Sequence, residues 1–117
     1  MDNQRKQIRI NKFVTVGYYQ LRGFLRSSCH SRDVSITGIR LASFQRFEPK
    51  IVLKLQINLR DDFKPVEAVG EVVWLKDTKD RSFPYDIGLK FIKINADASK
   101  KIGDYIKEMI EKEGIRA

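Results

Sequence analysis

Between Lys50 and Leu59 the chain alternates with a two-residue period. Ile51, Leu53, Leu55, Ile57 and Leu59 fall on one side, and Val52, Lys54, Gln56 and Asn58 on the other. Side chains of a strand point to opposite faces in turn, so this is a strand with one face in a core and one in water. Phe13 to Leu21 is rich in aromatic and β-branched residues and reads as an earlier strand. Arg22-Gly23 reads as a turn, with Phe24-Leu25 opening a short second strand. Ser27 to Arg32 reads as a polar connection into a strand over Asp33 to Ser43, and Pro49 ends a loop. Arg60 to Pro65 is a turn region, and Val66 to Leu75 is a further strand with Gly70 in its interior. After a polar loop over Thr78 to Pro84, Tyr85 to Ile94 forms the last strand, with Ile87, Leu89 and Phe91 on one face.

The period then changes. Ile102, Tyr105, Ile106, Met109 and Ile110 recur at helical spacing and make one apolar stripe, which predicts a helix over about 96–113. Asn95 or Asp97 can cap its start, and Gly114 stands where a helix stop is expected. Six or so short strands followed by one amphipathic helix predict a mainly β fold, a small six-stranded antiparallel β-barrel with a C-terminal helix. The stripe must be buried, either over an open end of the barrel or against another subunit.

At 117 residues the chain is long enough for one domain with one core. Residues 1–11 are polar and basic without an apolar period, which predicts a flexible arm ahead of a barrel domain over 12–117. No run approaches a membrane span and the N-terminus carries no apolar signal region, so a cytoplasmic location is expected. Cys29 is the only cysteine, which rules out an internal disulfide and fits a reducing compartment. The net charge of +8 favours anionic partners. The basic residues are interleaved with acids, so charge alone does not choose among nucleotide, nucleic acid and acidic membrane.

Little in the chain suggests catalysis. His30 is the lone histidine and falls in the polar connection, where an exposed side chain is expected. Cys29 precedes it directly, but neighbours in an extended chain point to opposite faces and make no nucleophile–base pair. Asp61 and Asp62 fall in a turn, where aspartate is common. No metal-ligand cluster and no phosphate loop is present, so neither a metal nor a cofactor is expected. The chain reads as a non-enzyme.

Asp33-Val-Ser-Ile-Thr-Gly38 carries more information. Asp33 and Ser35 are two apart and project from one strand face, with Val34 and Ile36 directed into the core. Gly38 interrupts the strand, where a bulge or a close ligand approach is expected. Upstream, Arg5-Lys-Gln-Ile-Arg9 sets two arginines four apart, a spacing that Arg22 and Arg26 repeat. Each feature alone has a plain explanation: a basic tail, or local turn hydrogen bonds around Asp-x-Ser. Together, in this order and on a barrel-like strand pattern, they are much more specific.

In these residues the chain resembles the PilZ domain family, which is recognised by an RxxxR motif and a [D/N]xSxxG motif on an early barrel strand. Arg5 and Arg9 complete the first motif; Asp33, Ser35 and Gly38 complete the second. Gly70-Glu-Val-Val-Trp74, Ile87-Gly-Leu-Lys-Phe91 and the closing helix resemble the family's later elements. The resemblance implies a six-stranded barrel that binds the bacterial second messenger cyclic di-GMP between the arm and the motif strand. It further implies a receptor or adaptor that passes the signal to a protein partner, with outputs such as motility, adhesion or polysaccharide secretion.

The residue types suit that ligand. An arginine fork can bond guanine O6 and N7, stack on a base or hold a phosphate, and lysine cannot copy the first two. Asp33, an acceptor-only carboxylate, matches the N1–H and N2–H₂ donors of guanine. Ser35 can donate to a phosphate or a base, and Gly38 leaves room for the ligand or the arm. Arg40 and Lys90 are expected as secondary contacts, with Arg32 another cation near enough to consider. Trp74 alternates with Val72 and reads as core. Two other functions fit the same pattern: a protein-interaction module of this fold that binds no nucleotide, and a basic barrel for single-stranded nucleic acid. The latter needs stacking aromatics, but Tyr18, Tyr19, Phe44 and Phe47 read as core.

Overall fold

The computed structural model describes residues 14–20, 27–60 and 64–113. The strands are β1 (Thr15–Gln20), β2 (Ser27–Val34), β3 (Gly38–Ser43), β4 (Val52–Asn58), β5 (Val66–Asp77) and β6 (Tyr85–Lys93), and α1 (Ala96–Glu113) follows. They close into a barrel in the order β1-β2-β3-β6-β5-β4, every pair antiparallel. Closure leaves no free sheet edge, which a small β domain otherwise has to protect.

Alternation fills the barrel as expected. Val16 and Tyr18 of β1, Leu53, Leu55 and Ile57 of β4, and Ile87 and Leu89 of β6 all point inward and are buried. The end at which β1 begins and β2 ends is closed by α1. Its stripe, Ala98, Ile102, Tyr105, Ile106 and Met109, joins the barrel core. The stripe therefore covers an open barrel end of its own chain. Burying one such aliphatic side chain contributes about 1.5–3 kcal/mol. Asn95 caps the helix: its Oδ1 accepts from the Ala98 amide at 2.7 Å. At the other end Phe47 folds inward and meets Tyr18 edge-on, ring centroids 5.5 Å apart.

Two expectations along the early strands are corrected. Ser27–Arg32 is strand, the first part of β2, and not a polar connection. Its polar residues belong there because Ser31 is fully buried and its Oγ accepts from the Val14 amide at 3.1 Å. His30 accordingly sits on β2, half-buried against Phe83 with ring centroids 4.6 Å apart. Asp33 to Ser43 is also not one strand. β2 ends at Val34, residues 35–37 turn, and β3 begins at Gly38. Ile36 is thus at a turn and exposed, although Val34 does enter the core. Phe44 is exposed as well, whereas Tyr18 and Phe47 are core as expected. Arg22-Gly23, Phe24-Leu25, Asp61, Asp62 and Gly114 lie outside the described residues.

Candidate functional site

The site begins with a register shift. β2 and β3 pair Ser31 with Leu41, then Asp33 with Arg40, leaving Arg32 as the extra residue of a bulge. Without the bulge Asp33 would follow Ser31 into the barrel. With it, Asp33 turns to the outer face beside Arg40, a re-aiming that bulges commonly perform. Arg32, the extra residue, is held by Asp86 at 2.9 Å and Asp80 at 3.8 Å. Its charge is committed to Asp86 at the start of β6 and to Asp80 in the loop before it.

From Asp33 a continuous cross-strand row runs over the outer face. Asp33 pairs with Arg40, Arg40 with Gly88, and Gly88 with Trp74. Three strand spacings make this row about 14 Å wide. Gly88 is the floor: a Cβ there would stand 2.3 Å from atoms of the Trp74 indole, so the ring lies directly on this backbone. Trp74 is 40% exposed and forms a wall, which corrects its reading as core. Lys90 pairs with Gly38 in the next row. The open cleft has a volume of about 180 Å³ and is lined by Asp33, Ser35, Gly38, Arg40, Trp74 and Lys90, among others.

Asp33 and Arg40 are already in contact, Nε to Oδ2 at 3.1 Å, with the Asp33 side chain 10% exposed. The contact is ionic and not an aligned hydrogen bond, because Nε is buried and has no hydrogen-bond partner among the described residues. Ser35 has another task. Its Oγ accepts from the amides of Thr37 and Gly38 at 3.3 and 3.2 Å and donates to the Gly38 carbonyl at 3.2 Å. It therefore builds the turn between β2 and β3. Gly38 owes its place to the ladder, since a Cβ there would stand 2.3 Å from the Leu89 carbonyl oxygen.

Asp33, Ser35, Gly38, Arg40 and Lys90 thus share one cleft. Arg5 and Arg9 lie outside the described residues. Sequence reasoning missed Trp74 as a wall. The available signal was a glycine in β6, Gly88, that pairs with an aromatic residue and makes room for it. Cys29 points into the barrel, and burial pushes its thiol up to about 12, so it is an inert core thiol. Burial likewise raises the Tyr18 hydroxyl above its ordinary range. Among the described residues no cluster of side chains could hold a metal ion, and no helix is long and apolar enough to cross a membrane.

The fold is shared with solved structures. The Bacillus subtilis inhibitor of motility MotI/DgrA superposes with a TM-score of 0.77 at 19% identity, covering 95% of this chain and 53% of its own. The MrkH–c-di-GMP complex of K. pneumonia gives 0.74 at 13% identity, covering 96% and 55%. The PilZ domain of YcgR from Escherichia coli, solved with c-di-GMP, gives 0.65 at 12%, covering 94% and 97%. The chain spans about half the length of the first two. No curated protein matches its sequence. The family model described as PilZ domain matches residues 3–108. With nearly the whole barrel and its helix inside that match, the chain belongs to the PilZ domain family.

Proposed function

We propose that the chain is a non-catalytic receptor module for cyclic di-GMP, with the cleft over β2, β3, β6 and β5 as its ligand site. The observation that carries this reading is the row Asp33–Arg40–Gly88–Trp74. It sets a carboxylate, a guanidinium and an exposed indole on one rigid surface, with the Lys90 ammonium in the next row. A guanine edge can give N1–H and N2–H₂ to Asp33. Arg40 can bond O6 and N7 or lie flat on a base. Trp74 offers a stacking face worth about 1–3 kcal/mol per base, and Lys90 can balance a phosphodiester. Membership in the PilZ family and the c-di-GMP bound by its structural neighbours YcgR and MrkH support the same ligand.

Arg5 and Arg9 complete the site by closing over the ligand from the N-terminal arm. Ligand binding then orders residues 1–11 and repositions them for a partner protein. Two contacts lead away from the turn at residues 35–37. The Thr37 carbonyl accepts from the Phe91 amide at 2.9 Å, and Ile36 lies near Gly103 of α1.

Trp74 is the sole tryptophan, so its emission reports the cleft directly. Titration with cyclic di-GMP should change that emission saturably, and cyclic di-AMP should leave it unchanged because adenine lacks the donor pair that Asp33 accepts. Equal responses to both would refute guanine selection by Asp33. Amide exchange that leaves residues 1–11 unaltered on ligand addition would refute the ordering of the arm.

A further inference from the structure

A second row crosses the outer surface over β1, β4, β5 and β6. Tyr19 pairs with Lys54, Lys54 with Val69, and Val69 with Lys93. A bulge at Ile92 separates the Val69–Lys93 and Gly70–Phe91 pairs, and it turns Lys93 outward onto this row. The row lines a shallow groove of about 260 Å³. Lys54 Nζ stands 5.9 Å from the Tyr19 ring centroid, which anchors one ammonium over an aromatic floor.

Apart from Lys54 and Lys93, half of the lysines and arginines among the described residues are ion-paired. Arg32, Arg40, Arg46, Arg60, Lys100, Lys101 and Lys112 all have carboxylate partners. Lys54 and Lys93 make no ion pair among the described residues. Glu67 is the one carboxylate lining the groove among those residues, and it belongs to the neighbouring row opposite Gln56. Two unpaired ammoniums therefore flank the small apolar surface of Val69.

Their spacing narrows the partner. Lys54 and Lys93 stand two strand spacings apart, about 10 Å between backbones. A polyproline II segment repeats every three residues at about 3.1 Å each, so positions i and i+3 share a face about 9.3 Å apart. We infer that this groove docks an acidic polyproline II segment of a protein partner, with carboxylates three residues apart on Lys54 and Lys93, the intervening residues on Val69, and the residue beyond the Lys54 contact on Tyr19. A nucleic-acid strand fits less well. The groove holds one aromatic ring, and Glu67 would face a phosphate backbone. None of these residues lines the cyclic di-GMP cleft, which runs over β2, β3, β6 and the later part of β5.

The test is an NMR titration of the full chain, without cyclic di-GMP, using the peptide acetyl-Gly-Glu-Pro-Pro-Glu-Gly-amide. Two further probes are a peptide of equal charge with its glutamates adjacent, and a twelve-residue oligothymidylate. The expected result is saturable shifts at Tyr19, Lys54, Val69 and Lys93, with the spaced peptide binding more tightly than the adjacent one. Lys54→Gln and Lys93→Gln should each weaken it several-fold, and the double Lys54→Glu, Lys93→Glu variant at least tenfold. Both side chains are exposed, so retention of the native amide spectrum identifies a folded variant. Absence of saturable shifts at these residues would overturn the inference. So would equal binding of the two peptides, affinity indifferent to the substitutions, or tighter binding of the oligonucleotide at the same residues.

Discussion

Gly38→Ala separates the architectural role of the motif glycine from a role in ligand approach. The new Cβ would stand 2.3 Å from the Leu89 carbonyl oxygen and 3.3 Å from both the Leu89 carbonyl carbon and the Lys90 Cα. Real Cβ contacts stop near 3.0 Å, so β3 and β6 must part by about 0.7 Å, the difference between the two distances. All three obstacles are backbone atoms of a closed barrel, and no side-chain rotation relieves them. The turn depends on the same point, since the Gly38 amide donates to Ser35 Oγ and the neighbouring Thr37 carbonyl accepts from Phe91. Overpacking of this kind costs roughly 1–3 kcal/mol. A domain of this size loses about 4 °C of Tm per kcal/mol, so the variant should melt roughly 4–12 °C below the parent. Thermal circular dichroism without ligand is the assay. A Tm within about 2 °C of the parent would refute the backbone argument and return Gly38 to a ligand-approach role.

Gly88→Ala makes the contrasting case: its Cβ meets the partly exposed Trp74 ring, which can swing aside, so stability should change by less than about 1 kcal/mol. Trp74 emission should nevertheless shift, and cyclic di-GMP affinity should fall by the roughly 1–3 kcal/mol of one stacked base, read by calorimetry. Asn95→Ala removes the cap on the Ala98 amide and should cost about 1 kcal/mol in a urea melt. Cys29 should resist a disulfide reagent at pH 8 in the folded protein and react fully in denaturant. Its folded value of about 12 lies above the 9.0 of a free thiol, so folding stability should fall as pH climbs from 9.0 toward 12. A Cys29→Ala variant should show a shallower decline over that window.

The later half of the barrel was legible because its residues obey a plain period. Leu53, Leu55 and Ile57, then Ile87 and Leu89, bury just the faces that alternation assigns them. The stripe from Ile102 to Met109 likewise lies in the core cluster. β2 was obscured because Ser31 spends its inward position on a hydrogen bond to Val14, so the strand lacks an apolar rhythm. The Asp33 motif reads as continuous strand because Val34 and Ile36 alternate with Asp33 and Ser35, but Ser35 Oγ closes a turn there. Trp74 escaped notice because the bulge between Val72 and Trp74 reverses the face that simple alternation from Val72 would give. The members of the cleft could be named from sequence for Asp33, Ser35, Gly38, Arg40 and Lys90. Their division of labour could not, since it depends on a bulge and on a ring resting on Gly88.

The central proposal is most directly tested by calorimetric titration of the full chain with cyclic di-GMP, with Arg9→Ala and Asp33→Ala alongside. Binding at micromolar concentration or tighter is expected. Each substitution should cost roughly 2–5 kcal/mol, the loss expected when one partner of a charged contact proposed to close on the ligand is removed. No heat from the parent chain, together with no amide shifts around Asp33, Arg40 and Trp74, would contradict the receptor reading.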